Sequence, residues 1–271
     1  MAIHSSLRVV TLTLTLAFGA VACSGDPAQT AAPQTFSEVS VEELYNVAVD
    51  DLEQSNYATA STKFDEVERQ HPYSTWAVKA QIMAAYSLYM ANQYDEAVVA
   101  LDRYIQLHPG NKDVDYAYYL KGLCYYEQIS DVGRDQLMTQ LALSTLKELI
   151  TRFPKSNYAR DASLKIDLTY DHLAGKEMKV GRYYQSSGQW LAAITRFNVV
   201  IKKFETTTHV PEALHRMVES YLALGMQSEA RKTAAVLGHN FKSSPWYLET
   251  YALLDDPTIK EEADSSWYKL W

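Results

Sequence analysis

Asn56-Tyr57-Ala58-Thr59-Ala60-Ser61-Thr62-Lys63-Phe64 returns 37 residues later as Gln93-Tyr94-Asp95-Glu96-Ala97-Val98-Val99-Ala100-Leu101. In each copy a polar turn residue precedes Tyr, Ala follows three residues on, and a large apolar residue sits four beyond that. Those intervals put all three on one face of a helix with 3.6 residues per turn. Further out, a small residue stands upstream (Ala48, Ala85) and a proline downstream (Pro72, Pro109). The unit is a helix, a tight turn and a second helix. Proline ends it, because it has no N–H to continue the hydrogen-bond ladder.

The same order recurs down the chain. A third copy shows Gly122, Ala142, Leu146 and Pro154, with about eight extra residues around Ile129 to Asp135. A fourth has Gly181, Gly188-Gln189-Trp190, Ala193 and Phe197, and a fifth has Val218, Gly225, Ala230 and Ala234. The period is close to the 34-residue unit of a tetratricopeptide repeat (TPR). Small residues let two antiparallel helices approach closely, and one pair cannot bury its own apolar stripe, so at least three must stack. The spacing predicts an all-α fold: a TPR superhelix, or α-solenoid, of about five helix-turn-helix repeats over 40–72, 77–109, 114–154, 158–205 and 210–242, then a C-terminal helix and tail over 246–271. A right-handed superhelix is expected, its concave groove lined by the first helix of each pair. Ser40-Val41-Glu42-Glu43 opens the array as a capping box. Residues 158–186 read either as one long first helix or as two with a break near Gly175.

Composition agrees with long uninterrupted helices. The 271 residues hold only 10 Gly and 8 Pro, and 47% are apolar. The 20 Tyr suit a half-wet binding surface as well as a core. A formal charge of −8 argues against a nucleic-acid partner, which would meet a basic face.

The first 22 residues read as a signal peptide: a short n-region ending in Arg8, then an apolar stretch from Val9 to Ala22 too short to span a bilayer. Cys23 follows Ala20-Val21-Ala22 as in a bacterial lipobox, with Ala20 where Leu is usual. Cys23 is therefore the expected lipidation site. Residues 24–39 read as a flexible tether of about 16 residues, which reaches ~50 Å at full stretch and averages ~20–25 Å. Cys124 is then left without a disulfide partner, and a lone Cys of this kind is expected to be buried and inert.

Nothing in the chain spells out covalent chemistry. There is no Gly-rich phosphate loop, no G-x-S-x-G, no H-E-x-x-H and no paired Cys/His spacing for zinc. His71 and His108 each precede a closing proline, where an imidazole meets the negative end of a helix dipole. His172, His209, His215 and His239 have no i, i+4 partner among them. Asp167 and Asp171 share a helical face, the usual pattern of a solvated one. Within the run Tyr116, Tyr118, Tyr119, Tyr125 and Tyr126, Tyr118 pairs in register with Tyr125 and Tyr119 with Tyr126. One pair is expected in the core, and the other either joins it or faces the groove.

The wording of four segments goes beyond the generic repeat: His71-Pro72-Tyr73-Ser74, Arg152-Phe153-Pro154-Lys155-Ser156-Asn157-Tyr158-Ala159, Glu177-Met178-Lys179-Val180-Gly181-Arg182-Tyr183-Tyr184 and Ala192-Ala193-Ile194-Thr195-Arg196-Phe197. Over about residues 41–242 the chain resembles the BamD (ComL) family, TPR lipoproteins of the outer-membrane β-barrel assembly machinery. Asp131-Val132-Gly133-Arg134-Asp135 resembles the alphaproteobacterial branch. The resemblance implies a non-enzymatic scaffold with no cofactor beyond the diacylglycerol and N-acyl chain on Cys23. It implies a protein anchored in the inner leaflet of the outer membrane, facing the periplasm. The implied partners are a BamA-like POTRA/barrel protein, other Bam lipoproteins and unfolded outer-membrane proteins. It places Arg196 at the position that grips a carboxylate of BamA, with Tyr183 and Tyr184 beside it in the partner-binding set. For the substrate groove, helix periodicity offers Tyr45, Tyr73, Trp76, Tyr86 and Tyr89, while Asp51 stands where a first helix often carries Tyr. Another envelope TPR lipoprotein, a secretin pilotin or a peptidoglycan-associated adaptor, is the alternative reading. The closing Ser265-Ser266-Trp267-Tyr268-Lys269-Leu270-Trp271 lies beyond the resemblance.

Overall fold

The computed structural model describes residues 40–254; the expected signal peptide, Cys23, the tether and the tail from Asp255 lie outside that range. Among the described residues there are eleven α-helices and no strand. Five pairs follow one another: α1 (Val41–Glu53) with α2 (Tyr57–Gln70), α3 (Thr75–Met90) with α4 (Tyr94–Leu107), α5 (Val114–Glu127) with α6 (Leu137–Arg152), α7 (Ala159–Ser186) with α8 (Trp190–Lys203), and α9 (Val210–Ala223) with α10 (Gln227–Asn240). A further helix, α11 (Pro245–Leu253), packs on α9 and α10.

Local chemistry sets the helix ends. The Glu43 backbone N–H donates to Ser40 Oγ at 3.2 Å, and the Ala77 N–H to Ser74 Oγ at 3.0 Å, satisfying amides left open at a helix start. Four of the tight turns inside pairs need a left-handed residue. Gly188 (φ 72°) and Gly225 (φ 73°) supply it without strain, whereas Ser55 (φ 63°) and Asn92 (φ 59°) adopt it at some energetic cost.

At each crossing a small residue meets a large one. Ala48 with Phe64, Ala85 with Leu101, Gly122 with Leu146 and Gly181 with Phe197 are all buried. A Cβ added at Gly122 would lie 2.5 Å from Leu146 Cδ2, and one at Gly181 would overlap the Phe197 ring. The fifth pair reverses the order, with Val218 on the first helix against Ala234 on the second. A small residue faces a larger one at each crossing, and which helix supplies the bulk varies.

The 28-residue α7 runs unbroken through Gly175, which answers the question left open over residues 158–186. Gly175 marks a close approach: a Cβ there would sit 3.3 Å from His209 Nε2 and 3.4 Å from Val132 Cγ1. The extra residues of the third pair dock on this helix. Lys176 Nζ donates to the Gly133 and Arg134 carbonyls at 3.2 and 3.3 Å, and Lys179 lies 3.6 Å from Asp131. The first half of α7 packs on α6 and the second half on α8, so one helix serves two repeats.

First helices of neighbouring pairs touch one another (α1–α3, α3–α5, α7–α9, α9–α11), while second helices pack mainly on the helices before and after them in sequence. The stack therefore curves with the first helices on its inner side. Between α5 and α7 the contact is carried by side chains: Val114 and Tyr118 share a buried core with Ala162 and Ile166, and Tyr119 donates to Asp161 at 2.5 Å.

Candidate functional site

Arg196 sits on α8 with its guanidinium 3.2 Å from Glu177 Oε2 of α7, an ion pair in which both side chains are partly exposed. Helix periodicity places Tyr183 and Tyr184 on different sides of α7. Tyr183 is 67% exposed, whereas Tyr184 packs into the core formed by Met178, Phe197 and Leu214. A polar network covers the inner side of the same repeats. Arg182 donates twice to the Glu212 carboxylate (2.8 and 3.0 Å), and Gln185 and Arg216 each reach Glu219 at 2.9 Å. Beneath them His215 is 2% exposed, with Nε2 3.5 Å from Glu219 and 3.6 Å from Glu249. The Thr250 hydroxyl donates to the Trp246 carbonyl at 2.7 Å, so the 2.8 Å contact with His215 is donated by Nδ1 of the ring. Burial works against ionisation of Glu219, but His215 and Arg216 together outweigh it and hold its pKa at about 2.

Charge is divided along the array. Residues 40–172 carry 12 Lys/Arg against 20 Asp/Glu, and residues 173–254 carry 10 against 6. An acidic partner patch thus finds its complement around Arg196, and a basic one finds it in the first three repeats.

The expected groove residues divide into two clusters and one outlier. Tyr45 and Trp76 pack together (centroids 4.9 Å apart), with Tyr45 also edge-on to Phe64 at 5.3 Å, so they bind the first two repeats to each other. Tyr86 and Tyr89 lie on the inner side of α3. Tyr89 packs against Tyr94 at 5.8 Å, and burial with nearby Glu127 lifts its hydroxyl to about 12. Tyr73 is fully exposed in the α2–α3 turn, away from both clusters. Asp51, in the first repeat, pairs with Lys63 at 2.5 Å. The row of Tyr continues on α5. Tyr119 stacks on Tyr158 (4.9 Å, 18°) and donates to Asp161 at 2.5 Å, while Tyr116 packs on Tyr158 at 5.2 Å. Tyr118 instead lies in the core against Phe153. Tyr126 faces Lys165, whose ammonium is 4.8 Å from its ring centroid. The inner side of these repeats is therefore an aromatic wall, in which the Tyr119 hydroxyl reaches the Asp161 carboxylate.

Residues 37–237 match the model of the YfiO family, outer membrane lipoproteins. The chain belongs to this family. The outer membrane protein assembly factor BamD of Caulobacter vibrioides is 50% identical over 225 residues, covering 83% of this chain and 74% of that one. BamD of Rickettsia prowazekii is 48% identical, covering 78% and 84% respectively. Among solved structures, the TPR2AB domain of yeast Sti1 in complex with pHSP90 aligns over 83% of this chain and 86% of its own, with 12% identity and a TM-score of 0.42.

In this YfiO-family array the remaining polar candidates have structural work. Asp171 accepts from the Thr208 N–H (3.2 Å) and hydroxyl (2.8 Å) and lies 3.6 Å from His209, tying α7 to the α8–α9 turn. Asp167 is exposed to solvent and takes no part in these contacts. His108 Nε2 contacts Gln81 of α3 at 2.8 Å. Cys124 is fully buried, and burial pushes its thiol up to about 12. No described helix is long and apolar enough to cross a membrane. Periodicity did not single out Tyr158, Asp161, Lys165 or Glu177. Their roles come from α7 lying against α5 and α8, and the extra residues after Ile129 were the one sign of unusual geometry there.

Proposed function

We propose that this chain is a non-enzymatic component of the outer-membrane β-barrel assembly machinery, anchored through acylated Cys23 and working by binding and positioning. The observation that carries this reading is the match to BamD assembly factors, which runs through the whole repeat array at about half identity to the Caulobacter vibrioides relative. The repeats that end the array hold the POTRA region of a BamA-like barrel protein through Arg196 and the exposed Tyr183. Basic charge after residue 172 and the accessible edge of the Arg196–Glu177 pair support that placement. The aromatic wall around Tyr86, Tyr89, Tyr116 and Tyr119 takes unfolded outer-membrane proteins, since stacking and hydroxyl contacts suit an extended chain. The lipid places the molecule on the periplasmic side of the outer membrane.

The test is co-purification from detergent-solubilised envelope, with tagged wild type and Arg196→Glu side by side. A POTRA-barrel protein recovered with wild type and lost with the variant supports both role and site. Recovery with both removes Arg196 from the contact. Recovery of a secretin or of peptidoglycan alone rejects the assembly role.

A further inference from the structure

A stacked repeat array needs a polar outer side on its terminal helices, because no further repeat covers them. The described array meets that need at one end and not at the other. On α1, Glu42, Glu43, Asn46, Asp50 and Glu53 are all turned to water. The last described helix, α11, reads Pro-Trp-Tyr-Leu-Glu-Thr-Tyr-Ala-Leu and carries a single charged residue, Glu249. A helix that is apolar on every side belongs between two layers and not at a surface.

One side of α11 is filled by the array. Thr250 is wholly buried, and the Trp246 ring lies 5.1 Å from His215. Tyr247 and Tyr251 close over Gly238, where a Cβ would lie 2.7 Å from the Tyr251 hydroxyl, and Leu254 packs on the Val218–Ala234 crossing. Helical spacing puts Pro245, Leu248 and Ala252 on the opposite side, turned away from the α9 and α10 helices that α11 packs on. Leu253 beside this stripe is 46% exposed.

The chain carries a segment that matches the stripe. Trp267, Leu270 and Trp271 stand at i, i+3 and i+4, the spacing of one apolar helical face. Residues 255–264, which join it to α11, reach up to ~33 Å, against ~14 Å for the length of α11, so the segment can return over the stripe. That joining stretch holds five Asp/Glu and one Lys. Arg231 on α10 and Lys242 in the turn before α11 are exposed and make no ion pair among the described residues, a basic complement close by. So short a tether keeps the segment near the stripe at an effective concentration on the order of mM, which favours it over a second copy of the chain.

We infer that residues 265–271 fold back on their own chain and cap the Pro245–Leu248–Ala252 stripe of α11, with the acidic stretch 255–264 held by Arg231 and Lys242. The contact lies at the end of the stack and not on its concave side. It involves neither Arg196 nor the tyrosine wall, so it stands or falls apart from the assembly role.

The test uses the mature chain with Cys23→Ser and p-benzoylphenylalanine in place of Leu270. Isotopically light and heavy chains are mixed before illumination, and mass spectrometry locates the crosslink and shows whether it joins one chain or two. The expected product is a crosslink to residues 245–253 within a single chain. Amide hydrogen exchange gives a second reading without the probe. The triple variant Trp267→Ser, Leu270→Ser, Trp271→Ser leaves every described helix intact and should speed exchange over residues 246–254 by about tenfold, with α1 to α8 unchanged. Leu248→Ser should also speed it, and adding the triple variant to Leu248→Ser should change little, because the two remove the same contact. A crosslink to another repeat, a mixed light–heavy product, no crosslink, unchanged exchange in the triple variant, or additive effects of the two sets of substitutions overturns the inference.

Discussion

Replacing Gly181 by alanine adds a single methyl group at the tightest crossing of the array. That Cβ would lie 2.8 Å from Cδ1 and 2.9 Å from Cζ of Phe197, with Cε1 nearer still. Phe197 is wholly buried among Ala193, Met178 and Leu214, so its ring cannot swing away without displacing α9. Overpacking of this kind costs about 1–3 kcal/mol. Alanine recovers at most ~1 kcal/mol over glycine through helix propensity. With three ring atoms inside 3.0 Å the overpacking lies at the upper end, about 2–3 kcal/mol, so the expected net loss is about 1–2 kcal/mol, read as a lower urea midpoint by circular dichroism at the helical band. Gly110→Ala is the control. Nothing lies within 4 Å of a Cβ there, so its stability should stay within about 0.5 kcal/mol of wild type. Phe197→Leu in the Gly181→Ala background should show a favourable coupling of about 1 kcal/mol, because a smaller side chain makes room for the methyl. The Val218–Ala234 crossing shows that the fold tolerates bulk on the first helix when the second gives way. If Gly181→Ala matches or exceeds wild type in stability, or the double variant is additive, the crossing is not sterically set and the small–large rule fails.

Two further outcomes follow from the buried groups. The pKa of Glu219, held at about 2 against an ordinary 4.5, makes its contribution to stability complete above about pH 4.5 and lost as pH falls toward 2. Glu249, raised by burial, acts in the opposite sense. Glu219→Gln should therefore flatten the acid limb of a melting-temperature profile over that window, and an unchanged limb would refute the role given to His215 and Arg216. Cys124, with its thiol pushed up to about 12, should resist iodoacetamide at about pH 8 in the folded chain and react once urea unfolds it. Mass spectrometry of the two samples decides this, and rapid labelling of the native protein would show that the α5 core opens.

What the sequence determined by itself was everything governed by interval. Tyr57, Ala60 and Phe64 and their later copies fix helix, turn and crossing because those contacts are local and recur with the period of the chain. The small residues at Ala48, Ala85, Gly122 and Gly181 announce close approach for the same reason. Family wording was equally local, carried in strings such as Lys179-Val180-Gly181-Arg182. Tertiary structure decided what depends on how far neighbouring repeats are rotated and spread. Periodicity grouped Tyr45, Tyr73, Trp76, Tyr86 and Tyr89 as one face, yet the fold sends Tyr45 and Trp76 into the packing between repeats and leaves Tyr73 in a turn. Gly175 could signal a break or a contact, and only the placement of Val132 and His209 over it selects contact. The tyrosine and lysine partners of α5 sit about forty residues further along the chain, on a helix whose distance from α5 is set by an insertion. A one-dimensional period carries no record of that distance, because it is fixed by the sum of packing forces on both sides of α7.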